Sequence, residues 1–91
     1  MTCEIESDKA NKDAAIEVYQ ETSANILKAY SHNKEALRLH ERGFYKAAKQ
    51  QAEHAHGHSI KAMNSIGRAM ELTEKLDSKV TSESILKGNK S

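Results

Sequence analysis

Leu39-His40-Glu41-Arg42-Gly43-Phe44-Tyr45-Lys46 is the stretch that decides the fold. Glycine adopts the left-handed conformation that ends a helix at little steric cost, and basic side chains just before such a stop suit the negative end of the helix dipole. Arg38 and Arg42 occupy those turns, so Gly43 reads as a helix stop. The spacing on either side predicts a first helix over about 8–42 and a second over about 44–78, each roughly 50 Å long at 1.5 Å per residue. A link this short folds the second helix back antiparallel on the first. One continuous helix kinked at Gly43 is the alternative.

Steps of three and four from Ile16 give Ile16, Tyr19, Ser23, Ile26, Tyr30, Asn33, Leu37, His40 and Phe44, the interval that keeps one stripe of a helix facing a partner. Beside it run Ala15, Thr22, Ala29 and Ala36 at a strict interval of seven, a shoulder of small side chains that permits close approach. The second helix repeats the pattern as Tyr45, Ala48, Ala52, Ala55, Ser59, Ala62, Ile66, Ala69, Thr73, Leu76 and Val80. Its first half is dominated by alanine. Ile60, Met63 and Met70 thicken the second half, where the packing partner has to be of a different kind. Past Val80, Thr81-Ser82-Glu83-Ser84 offers helix-capping residues ahead of Ile85-Leu86-Lys87-Gly88, so 81–88 is expected to be a tail or a short third helix.

Composition agrees with an all-α chain: no proline, 4% aromatic and 30% charged residues suit exposed helices better than strands. A chain of 91 residues buries a small fraction of its surface, and two helices touching along one alanine-rich seam bury little apolar area. A homodimer that completes a four-helix bundle is therefore the expected architecture, with all of 1–91 as one domain. Met63, Ile66, Met70 and Leu76 are the expected interface. A net charge of +1 gives no field for collecting phosphates along a nucleic acid, which makes nucleic acid an unfavoured partner. Cys3 is the one cysteine, and the first residues mix Glu4, Glu6, Asp8 and Lys9 instead of forming the apolar core of a secretion signal. With no run resembling a membrane span either, a cytoplasmic protein is expected.

Histidine is the one chemically suggestive residue type, and three of the five lie in Glu53-His54-Ala55-His56-Gly57-His58. His54 and His58, one helical turn apart, share a face on which two imidazoles can grip one Zn²⁺, Ni²⁺ or Cu²⁺, whereas His56 points away from them. Two ligands do not make a stable site, so Glu53, His40 from the facing helix, or a second subunit would have to complete it. The competing reading is that these imidazoles fill the shoulders and outer face of the seam, with His32 solvated and the charged face of Lys46, Lys49, Gln50 and Glu53 a hydrated surface. A pH-responsive cluster is a further use of the same residues. No glycine-rich phosphate loop or nucleophile with an adjacent base stands out, so a non-enzymatic chain with no cofactor is expected.

Gly43, Tyr45, Ala48, Ala55, His56 and Gly57, in one ungapped register, resemble the centre of a small archaeal helical family of unknown function. Phe44 stands where that family has an acidic residue and His58 where it has a tryptophan. The same turn looks like the first hairpin of HEPN domains, with Lys61-Ala62 matching the pair that ends their second helix. HEPN ribonucleases carry an arginine followed about five to seven positions later by a histidine, and no such pair follows Arg38, Arg42 or Arg68. The resemblance thus implies a hairpin and no active site. The functional expectation is a helical self-association and protein-interaction module, with a transition-metal-binding or pH-sensing protein as the alternative.

Overall fold

In the computed structural model, described over residues 2–86 with side chains over 8–77, the chain is two α-helices, α1 (Thr2–Glu41) and α2 (Tyr45–Leu86). They pack side by side into a slab of 63 × 31 × 13 Å, one helix thick, so that both broad faces are open. The turn is where the glycine predicts it. Gly43 has φ 86°, its N–H donates to the His40 carbonyl at 3.0 Å, and the Phe44 N–H reaches back to the Leu39 carbonyl at 2.9 Å. Those two bonds make a Schellman stop, which satisfies carbonyls that the end of a helix otherwise leaves unpaired. The Ala48 N–H then donates to the Phe44 carbonyl at 2.9 Å and starts α2. The left-handed glycine rules out the continuous kinked helix.

The contact between the helices differs from the expected one by a single residue of phase. On α1 the seam is Ala15, Val18, Thr22, Asn25, Ala29, His32, Ala36 and Leu39, all buried or half-buried. The small-residue shoulder is the contact, and the stripe from Ile16 to Phe44 is exposed at every position. On α2, Ala48, Ala55, Ala62, Ala69 and Leu76 hold the seam as expected, but Gln51, His58, Ser65 and Leu72 alternate with them in place of Ala52, Ser59, Ile66 and Thr73. Size decides this phase: alanine and hydroxyl side chains let two backbones approach closely, and Tyr or Ile in the same column would hold them apart.

Polar atoms within the seam are paired. The hydroxyls of Thr22 and Ser65 lie 2.7 Å apart across the helices; with one hydrogen each, one donates to the other while its partner donates to a carbonyl one turn back, Val18 at 2.8 Å or Lys61 at 3.0 Å. Tyr19 Oη and Thr73 Oγ1, at 2.7 Å, make a second bridge near the open end. No large side chain among the described residues is fully buried. The hairpin thus has a ladder of small and polar contacts where a larger domain has an apolar core.

Beyond Val80 the helix does not break. Thr81 to Leu86 continue α2, since neither proline nor glycine interrupts the run, so the expected separate tail or third helix is absent as far as Leu86. Lys87 and Gly88 fall outside the described residues. At the other end α1 starts earlier than expected and includes Cys3 in its backbone. No helix among the described residues is long and apolar enough to cross a membrane.

Candidate functional site

The helical repeat of about 100° per residue places neighbours of a seam position on opposite flanks. Tyr30 follows the seam residue Ala29 and Lys28 precedes it; Met63 follows Ala62 and Lys61 precedes it. One broad face of the slab therefore collects Tyr30 and Met63, and the other collects Lys28 and Lys61.

The first face is an apolar trough. Its central groove, about 260 Å³, runs between Ile26 and Ala29 of α1 and Met63 and Ile66 of α2. Ile26, Ala29 and Ser59 also line the next groove, which shares Asn33 and Ala52 with a third that ends at Leu37, His40 and Tyr45. Shared walls make one continuous depression over more than half of the hairpin. Large apolar side chains stand up from it: Ile26 is 56% exposed, Tyr30 61%, Leu37 58% and Met63 70%. Ile16, Tyr19 and Met70 extend it toward the open end by the same register. No Lys, Arg, Asp or Glu occurs from Ile16 to Phe44 on the stripe of α1, nor from Tyr45 to Val80 on that of α2, and the charged side chain that borders the grooves is Lys49, near the turn. Of the expected interface residues, Met63 and Met70 are exposed here, Ile66 is half-buried in the groove wall, and Leu76 belongs to the seam.

The opposite face holds imidazoles. His54 and His58 lie on it together, as the one-turn spacing requires, and their neighbour from α1 is His32. The His32 ring centre is 5.1 Å from that of His54 and 5.5 Å from that of His58, the latter ring parallel to within 4°. His40, expected to complete a metal site, packs edge-on against Tyr45 at 4.9 Å beside the turn. Glu53 is exposed on the outside of α2, and His56 lines the trough. Among the described residues no three His, Cys, Asp or Glu side chains are placed to hold a metal ion.

His32 was legible in principle. In an antiparallel hairpin turning at Gly43, facing residues have numbers that sum to about 87, as Thr22 and Ser65 do, which sets His32 level with Ala55 and its flanking histidines. His40 by the same rule lies near the turn. Each seam histidine is held by an amide: His32 Nδ1 is 2.7 Å from Gln51 Oε1, and His58 Nδ1 is 3.1 Å from Asn25 Oδ1. Partial burial lowers the pKa of His58 below its ordinary value, helped by the positive charges of Lys61, His32, Lys28 and His54. Elsewhere, the exposed Glu35 carboxyl is held below its ordinary value by its hydrogen bonds to Arg38.

No family model, curated protein or solved structure matches the chain.

Proposed function

We propose that this chain is a non-enzymatic helical self-association module, in which two hairpins lay their apolar troughs against each other to form a four-helix bundle homodimer in the cytoplasm. The observation that carries the reading is the placement of side chains: small residues hold alternate positions of the seam, and Ile26, Tyr30, Leu37, Met63 and Met70 face outward on one flank. Isolated exposed apolar side chains are ordinary on a protein surface, but a contiguous stripe without charge marks an interaction surface. A second copy is the occupant that fits. Its trough is uncharged apart from Lys49 near the turn, has the same length, and offers aromatic and aliphatic knobs opposite the first copy's Ala29, Ala52 and Ser59. A slab one helix thick gains a two-layer core from such a partner.

Analytical ultracentrifugation of the full chain tests this directly, with a dimer expected at micromolar concentration. Tyr30→Asp should yield a monomer, because a carboxylate in the middle of each trough is desolvated on docking. Both copies carry the change. A wild-type chain that sediments as a fully helical monomer at 100 μM or so, well above the micromolar affinities at which about 8 kcal/mol of binding energy appears, would overturn the proposal.

A further inference from the structure

The face turned away from the trough gathers five basic side chains with no carboxylate engaging them. Lys28 and His32 come from α1, and His54, His58 and Lys61 from α2. The ion pairs among the described residues are Lys9–Asp13 and Arg38–Glu35, and neither touches this cluster. Of the acidic side chains on the adjoining turns, Glu35 of α1 is taken up by Arg38, while Glu21 of α1 and Glu53 of α2 are exposed and make no ion pair with the cluster. The charged groups acting on His58 are Lys61, His32, Lys28 and His54, all of one sign.

The imidazoles are also oriented. Asn25 donates through Nδ2 to the Glu21 carbonyl at 3.2 Å, which turns its Oδ1 toward His58 as an acceptor. An amide oxygen can only accept, so the Nδ1 of His58, and that of His32 facing Gln51 Oε1, carries the ring hydrogen. Nε2 of each ring is then the atom that takes the next proton, at which point it becomes a charged donor. Two parallel imidazoles, a third beside them and two flanking ammonium groups cannot all be charged cheaply without a counter-charge.

We propose that His32, His54 and His58, flanked by Lys28 and Lys61, form a binding site for a phosphoryl oxyanion that is taken up together with protons on the imidazoles. A phosphoryl group carries a charge of about −1.5 to −2 and three strong acceptor oxygens, enough to meet donors arriving from both helices. A carboxylate has two oxygens and one charge. A metal ion is the wrong sign for the site, since it meets the same ammonium groups that oppose a proton on His58. The site lies on the face away from the trough, so it is open in the monomer and in a trough-to-trough dimer alike, and it does not depend on dimer formation.

The experiment is an NMR titration of the imidazole resonances of the full chain, comparing inorganic phosphate with chloride at equal ionic strength. Phosphate should move the His32 and His58 titrations to higher pH. It should also bind more tightly at pH 7 than at pH 8, as a proton is taken up with the anion, with a shallower change below about pH 6, where free phosphate gains a proton of its own. Lys28→Gln with Lys61→Gln should remove most of this response while helicity is unchanged, because both side chains are exposed. Acetate should have little effect. Titration curves that coincide in phosphate and chloride would overturn the proposal, as would a response that survives the double lysine change or is matched by acetate. So would Zn²⁺ perturbing the three imidazoles where phosphate does not.

Discussion

The seam and the trough are built on the same three-four spacing and differ in side-chain size. Along the seam, Ala15, Thr22, Ala36, Ala62 and Ala69 bring the two backbones together, and stability comes from close contact and paired hydroxyls. One position away, Ile16, Ile26, Tyr30 and Leu37 project outward, each with about half of its surface uncovered by its own chain. Hydrophobicity alone would have put the larger residues inside. A periodic stripe thus marks a contact face, and the size of its side chains selects the partner: small residues for a helix a few residues away through a tight turn, large ones for a surface with room to receive them.

The largest effect is expected at the centre of the trough. Ile26→Asp removes an apolar side chain from the proposed interface twice, once per copy; at about 1.5–3 kcal/mol for each, dimer affinity should fall by at least about 100-fold in sedimentation equilibrium. Loss of thermal stability should follow, and should depend on protein concentration in the wild type alone.

A smaller effect is expected from the seam. Ala69 is 0% exposed, and Ala69→Leu forces the helices apart at a point where nothing yields. Overpacking of this kind costs about 1–3 kcal/mol, read as a lower urea midpoint at any protein concentration. A cost that disappears on dilution would assign Ala69 to the trough instead.

Smaller again is the response to pH. Because the His58 pKa lies below its ordinary 6.5, the folded hairpin binds fewer protons than the unfolded chain in the window beneath that value. Stability is therefore complete above pH 6.5 and is lost as pH falls through the folded value. Thermal melts in phosphate-free buffer between pH 8 and 5 should show the decline, and His58→Gln should flatten it. Glu35 acts in a separate window, below its ordinary 4.5, where protonation releases Arg38. The smallest change is a gain: Gly57 is in α2 with open space where a Cβ would sit, so Gly57→Ala should add about 0.5–1 kcal/mol of stability, read from the melting temperature.

Much of the candidate site is legible in the chain as pattern, with a different neighbour from the one that periodicity suggests. The stripe from Ile16 to Phe44 is a continuous face, but it looks outward; Ala52, Ser59 and Ile66, expected to meet it within the hairpin, line the other wall of the same trough. The pair His54 and His58 was visible from its spacing, whereas His32 stands alone in the sequence beside Asn33 and becomes informative only when the turn fixes which residues lie level.

By itself the sequence determined the two helices, the stop at Gly43 and the two columns of uncharged residues, because each follows from local conformational preference and from a period that needs no partner to be read. Tertiary structure decided which column meets which. Columns starting at Ala15 and at Ile16 share the same period and differ by only about 100° of rotation, so periodicity cannot choose between them. That choice is made when two backbones approach, by the volume each column leaves between them. The same rotation carried the large apolar side chains to one face and the histidines with Lys28 and Lys61 to the other.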